Sequence, residues 1–261
     1  MSKIKMKLKG IEQLKEGYLN QQEVELNNEK LNLSQLNFDN PISGTLYGTV
    51  LNYQGEYEAL ESEMNEDPYK APPQAPILYI KPINTFSSQD MPVPLPSGEK
   101  EVQIGAALGV VIGKTAKQVK EDEVFDYIEG YTIVNDVSLP YNSVYRPPIK
   151  QKARDGFCPI GPWIVNQNDV YDPHHLDIKV FINGVVRQEN NTKNLIRRIP
   201  QLVKDVTDFM TLYEGDVLLV GVPENQPLAQ KGDRISIEIE QIGQLNNYIV
   251  DEEDFYVSEV K

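Results

Sequence analysis

Cysteine, histidine and tryptophan are scarce: the 261 residues include one Cys, two His and one Trp. A single Cys158 allows no intrachain disulfide and no cysteine-built zinc cage, and it reads as a small buried hydrophobe. His174 and His175 are adjacent, and neighbours in an extended segment point to opposite sides. They make a poor chelate and read as loop residues. Positive charge is also in deficit, with 25 Lys and Arg against 39 Asp and Glu and a net charge of -14. That balance argues against a nucleic-acid partner and favours solubility. No apolar run reaches the roughly 18 residues of a membrane span. Residues 1–10 alternate lysine with single apolar residues and hold no signal core. A cytoplasmic protein without membrane partners is the expectation.

What is present is enough apolar content, 40%, to bury a substantial core. The chain is organised around residues 101–156. Residues 105–112 form a near-continuous small and apolar run closed by Gly113-Lys114, the pattern of a strand covered on both faces. Val124, Tyr127 and Ile128 then repeat at helical spacing, Asp122 is placed to cap, and Gly130 stands where a helix C-terminus favours a left-handed residue. This predicts a helix ending at Gly130 and a second strand over 131–137. Asp136 ends that strand. A short acidic residue there either caps a turn or pairs with a base, or it serves a metal or catalysis.

Around this centre the pattern is α+β and strand-dominated, with a few helices. Residues 1–41 are rich in Asn, Gln, Glu and Lys and read as a small appendage. Within it residues 24–33 alternate about Asn27-Asn28, a hairpin signal. Residues 42–261 read as the main domain. They open with a glycine-containing strand over 42–52, a short helix over 56–65, and a stiff proline-rich loop over 67–76 that is a candidate lid. Further strands are predicted over 77–81, 176–183, 216–221 and 234–240, with Asn183-Gly184 as a hairpin turn. Thr192 is placed to cap a helix whose stripe runs from Leu195 to Met210 and is interrupted at Pro200.

Three linked motifs, VVIGKTA (110–116), GYTIVNDVS (130–138) and KARDGFCPIGP (152–162), resemble the fumarylacetoacetate hydrolase family over nearly the full chain. The isomerase/decarboxylase subunits of 4-hydroxyphenylacetate (homoprotocatechuate) breakdown carry the nearest likeness. It extends through PYKAPP (68–73), YIKPINT (79–85), RQENNT (187–192) and FMTLYEGDVLLVGVPEN (209–225). The resemblance implies a mixed β-sheet roll and a small oxo-diacid substrate. The named candidates are 5-oxopent-3-ene-1,2,5-tricarboxylate, which is decarboxylated, and 2-hydroxyhepta-2,4-diene-1,7-dioate, which is isomerised. It also implies Mg2+ or Mn2+ held by two glutamates and one aspartate, Asp136 in this sequence, hard oxygens for a hard cation. Lys152 stands where the family keeps a substrate-facing lysine, with Arg154 and Asp155 paired to hold the loop. Lys81, Arg154, Asp155 and Gln188 are the further candidates for substrate binding, and Lys152 and Asp136 are the catalytic candidates.

The chain departs from the family pattern at several of these places. The two metal glutamates alternate just before the Ile-Gly-Lys motif, where this sequence has Gly105 and Ala107. Glu99 and Glu101 lie six residues earlier, on the order of 20 Å along a strand, so a slip does not restore them. The metal site reads as degenerate, and glutamates restored at 105 and 107 should create magnesium binding. The family's water-activating His and Glu are replaced by Glu56 and Ala59, which removes the hydrolase route, and Val222 replaces a common threonine. Two readings stay open. One is a working isomerase/decarboxylase subunit; the other is a catalytically weakened paralogue paired with a metal-bearing sister. A homodimer or a heterodimer fits either.

Overall fold

The computed structural model describes residues 1–141, 143 and 146–259. Strands dominate. Four of them come before residue 33: β1 (Ser2–Leu8), β2 (Lys15–Asn20), β3 (Glu23–Leu26) and β4 (Glu29–Asn32). Next come β5 (Leu46–Val50), helix α1 (Gln54–Glu61), β6 (Ile77–Lys81), β7 (Pro92–Leu95), β8 (Ala106–Ile112) and β9 (Ile128–Asn135). After these lie α2 (Ile149–Lys152), β10 (Cys158–Asn166), β11 (Asp177–Ile182), β12 (Val185–Asn191) and α3 (Ile199–Thr207). The chain closes with β13 (Val217–Leu219), β14 (Arg234–Ile239), β15 (Gly243–Asp251) and α4 (Glu252–Glu259).

A 12-stranded mixed sheet runs β4-β3-β2-β1-β10-β9-β8-β13-β5-β6, with two short strands pairing off this path. A five-stranded sheet runs β12-β11-β14-β15-β7. All seven residues of β8 are buried. Because strand side chains alternate, Ala106, Leu108, Val110 and Ile112 join one apolar cluster, together with Ile178, Val180 and Ile237 of the second sheet. Ala107 and Val111 join another, with Cys158, Ile160 and Leu219. Both faces of β8 are therefore covered, and each fully buried Leu, Ile or Val there contributes about 1.5–3 kcal/mol. The Asn27-Asn28 hairpin forms with both residues at positive φ, 51° and 67°.

Two expected helices differ. Residues 121–127 form a run of 3-10 turns in which only Val124 is buried, and β9 begins at Ile128. Gly130 is inside that strand and ends no helix. A Cβ on it would lie 2.0 Å from the Val165 carbonyl oxygen, so the residue is glycine to let β10 approach. Pro200 does not interrupt a long helix; it sits in the first turn of α3, where its missing N–H costs nothing. Thr192 begins a separate short turn, and its hydroxyl accepts from the Leu176 N–H at 2.9 Å.

Candidate active site

Strand registers converge on Asp136. The pairing of Ala106 with Asn135 in β8 and β9 places Asp136 beside Gly105, whose carbonyl accepts the Asp136 N–H at 2.8 Å. At the sheet edge β6 pairs with β5, and Tyr79 and Lys81, two residues apart, share a face. Gly48 lies opposite Tyr79; a Cβ there would fall 1.9 Å from the tyrosine ring. Its missing side chain is what lets the ring turn toward Asp136. Lys152 comes from α2, which follows the 136–148 connection.

Together these residues form a buried charge cluster. Lys152 Nζ donates to Asp136 Oδ2 at 2.6 Å, and the Tyr79 hydroxyl donates to the same oxygen. Lys81 Nζ lies 3.0 Å from Asp136 Oδ1. Its hydrogens point elsewhere, to the carbonyls of Val137 at 3.0 Å, Lys152 at 2.8 Å and Phe157 at 2.8 Å. The contact with Asp136 is thus one of charge, while the ammonium fastens three chain segments together. Three carbonyl acceptors require three N–H donors, which keeps Lys81 charged although burial lowers its pKa. For Asp136, burial alone would raise the pKa, but Lys152 and Lys81 outweigh it and hold the carboxyl well below its ordinary range. Burial opposes charge on Lys152 as well, and Asp136 reverses it, so the lysine pKa is raised. Two ammonium groups face one carboxylate, leaving a positive surplus. Lys152 Nζ also sits 4.7 Å from the Tyr79 ring centroid and 5.8 Å from that of Tyr141, a favourable cation–π setting.

A second group of polar residues adjoins this cluster. Glu56, in the first turn of α1, accepts the Leu51 N–H at 2.8 Å. Burial pushes its carboxyl up to about 7, with Lys152 pulling down and Glu224 pushing up. Glu224 accepts from Asn190 Nδ2 at 2.9 Å and packs on the start of α1, where a Cβ on Gly55 would be 2.3 Å from its carboxylate carbon. Gln188 is buried and donates to the carbonyls of Pro223 at 3.3 Å and Glu224 at 2.5 Å.

Arg154 and Asp155 are not paired with each other. Arg154 bonds Glu252 of α4 at 3.2 Å, and Asp155 accepts from Asn84 at 2.6 Å and the Tyr256 hydroxyl at 3.0 Å. They tie the loop to the C-terminal helix, and no contact links either to Asp136 among the described residues. Tyr79, Tyr141, Asn190 and Glu224 were absent from the sequence expectations. Tyr79 had a signal, the period-2 match with Lys81, and Asn190 and Glu224 lay inside the motifs RQENNT and FMTLYEGDVLLVGVPEN; Tyr141 had none.

The family model for the fumarylacetoacetate (FAA) hydrolase C-terminal domain matches residues 45–250. The chain belongs to the fumarylacetoacetate hydrolase family. It is 40% identical over 213 residues to the 4-hydroxyphenylacetate degradation bifunctional isomerase/decarboxylase of Escherichia coli, covering 82% of this chain and 48% of that protein. The chain thus spans about half the length of the curated relatives it matches. A crystal structure of 5-carboxymethyl-2-hydroxymuconate delta-isomerase from Mycobacterium smegmatis superposes with a TM-score of 0.78 at 28% identity, covering 97% of this chain and 99% of that one. Maleylpyruvate hydrolase from Sphingobium sp. SYK-6, solved with manganese(II) and pyruvate, shares the fold with a TM-score of 0.77 at 24% identity, covering 95% and 99%.

A divalent cation of the kind held in this family does not fit the residues present here. Ala107 is buried in an apolar cluster. A Cβ on Gly105 would stand 2.4 Å from the Asp136 carbonyl oxygen, so the expected gain of binding from a glutamate at 105 is withdrawn: the backbone has no room for the side chain. Asp136 turns both its oxygens to lysines. Among the described residues no group of three or more His, Cys, Asp or Glu is arranged to hold a metal.

Proposed function

We propose that this chain is a subunit of an isomerase/decarboxylase of the 4-hydroxyphenylacetate type, binding an oxo-diacid or its enol at a lysine-centred site. The supporting observation is the buried positive surplus at Lys152, Lys81 and Asp136. Among the described residues one of the three Lys152 hydrogens is committed, to Asp136, and the ammonium is poised to hold a substrate carboxylate or oxyanion. Lys81 has no hydrogen to spare and serves as support. Isomerisation of 2-hydroxyhepta-2,4-diene-1,7-dioate is the half of the pair's chemistry that suits this site. It needs a proton carrier and a cation beside the substrate oxygen, whereas loss of carbon dioxide from 5-oxopent-3-ene-1,2,5-tricarboxylate leaves a full enolate charge to be stabilised. Residues 42–261 carry the site, with 1–41 appended.

The second reading, a partner chain for a metal-bearing sister subunit, draws on Gly105 and Ala107. Calorimetric titration of the metal-stripped protein separates the two. With oxaloacetate as probe, binding without Mg2+ or Mn2+ that is lost in Lys152→Met supports the lysine-centred enzyme. Micromolar metal binding that disappears in Asp136→Ala would overturn it. Failure to bind either metal or diacid would leave the partner role as the standing reading.

A further inference from the structure

The polar group beside Lys152 contains more chemistry than diacid binding requires. Three buried polar atoms, Tyr53 Oη, Gln188 Oε1 and Glu224 Oε2, have no hydrogen-bond partner among the described residues. Native interiors rarely leave such atoms unmatched, and their concentration in one region marks a place for a polar ligand. They are linked to the turn that carries Glu56: Glu224 packs on the residue before it, Gln188 donates to the Glu224 carbonyl, and the charges of Glu56 and Glu224 both act on the Tyr53 hydroxyl. The backbone next to this group is strained. Leu51 has φ +58°, a conformation that a branched residue rarely adopts, and its N–H is the one that holds Glu56. Asn52 braces the strained turn, donating to the carbonyls of Val220 at 2.7 Å and Arg197 at 3.0 Å and accepting from the Arg197 N–H at 2.9 Å.

Resting on the diacid reading above, we propose that Glu56 is the proton carrier of this site. For a 2-hydroxy-2,4-dienoate, the enol O–H bond breaks as its proton passes to the Glu56 carboxylate. The C–O bond becomes a carbonyl whose developing charge Lys152 meets. The two double bonds collapse to one between C3 and C4, and the proton held by Glu56 forms the new C–H bond at C5. No atom is gained or lost, and no oxidant or reductant is needed. The charges of Lys152 from α2 and Glu224 from the loop after β13 act on Glu56, and its own charge acts on Tyr53 before α1 and on Tyr141 from the 136–148 connection. Glu56 and Asp136 both act on Lys152 by charge, Asp136 through a contact of 2.6 Å, and they stand in opposite states, one carboxyl raised to about 7 and the other held well below its ordinary range. Carboxyls pushed apart in this way divide into a proton-transfer group and a permanent charge.

The test follows exchange of the C3 hydrogens of oxaloacetate in deuterated buffer by NMR, with EDTA present. Wild-type exchange should show a pH inflection near 7. In Glu56→Gln the inflection should vanish and kcat should fall about 100-fold or more, while KM stays within about threefold. Glu58→Gln, on the exposed face of α1, should behave as wild type. Wild-type rates in Glu56→Gln would overturn the proposal. So would wild-type protein that binds oxaloacetate without exchanging it, which leaves diacid binding standing. Absence of binding overturns both. Glutamine keeps the volume and an acceptor for Leu51; should that variant fail to fold, the presence or absence of the inflection in the wild-type protein decides.

Discussion

At Asp136 one carboxylate balances two buried ammonium groups, so its removal should affect folding before it affects chemistry. Breaking a buried ion pair by deleting one partner costs about 3–5 kcal/mol, and Asp136→Ala is expected to lower the urea midpoint by a corresponding amount. A loss below about 1 kcal/mol would place the lysines in a solvated setting. The sign with pH follows from the lowered folded pKa. The contribution of Asp136 is present above its ordinary value of 3.8 and is lost as pH falls through the folded value. Acid unfolding measured in wild type and Asp136→Asn should therefore diverge above pH 4 and converge below it. In the sequence Asp136 was legible because a charged residue ended an apolar strand. Tyr79 was less so: its spacing from Lys81 put both on one face, but a strand tyrosine looks like packing until its pairing with Gly48 is known.

The helix α3 shows how an element can be legible in kind and hidden in its details. Its apolar residues, Ile199, Leu202, Val203 and Val206, are all buried, and that periodicity was plain in the sequence. Its start was not, because its first N–H is satisfied from 25 residues away: Ile199 donates to His174 Nε2 at 3.2 Å. His174 Nδ1 lies 3.5 Å from Asp172 Oδ1, and His175 Nδ1 lies 2.6 Å from Asp172 Oδ2, so the adjacent histidines meet one aspartate. An accepting Nε2 requires the neutral ring. Burial lowers the His174 pKa despite the opposing Asp172 charge. Its stabilisation is therefore present above its ordinary value of 6.5 and is lost as pH falls through the folded value. Thermal unfolding should weaken from pH 7 to pH 5 in wild type. In His174→Asn that slope should shrink, with a loss near pH 7 of about 1 kcal/mol for the hydrogen bond. An unchanged slope would assign it to other groups. Gly130 and Pro200 misled for a related reason, since both also act in turns, and only the approach of β10 or the first turn of α3 decides between roles.

Across the whole molecule, the strands of residues 1–41 and those that follow share one sheet. β1 pairs with β10 through Ile4 with Val165, Lys5 with Ile164 and Met6 with Trp163, and Ile4 and Met6 are fully buried. Composition separated residues 1–41 from the rest because their surface is polar, but alternation along β1 conceals a buried face that a compositional boundary cannot register. Deleting residues 1–41 would strip β1 to β4 from the sheet and free the edge of β10 at Trp163, Ile164 and Val165, all buried in the intact chain, while Cys158 and Pro159 keep their pairing with Phe86 and Ser87. An apolar edge freed in this way templates aggregation. β10 also holds Cys158, next to the Phe157 carbonyl that anchors Lys81. The deletion variant is therefore expected to be insoluble, or to bind an apolar dye as a loosened state, and to lose oxaloacetate binding with it. A soluble, cooperatively unfolding 42–261 fragment that binds the diacid with wild-type affinity would show instead that the boundary near residue 41 is a true domain limit and that β1 to β4 only cover an edge.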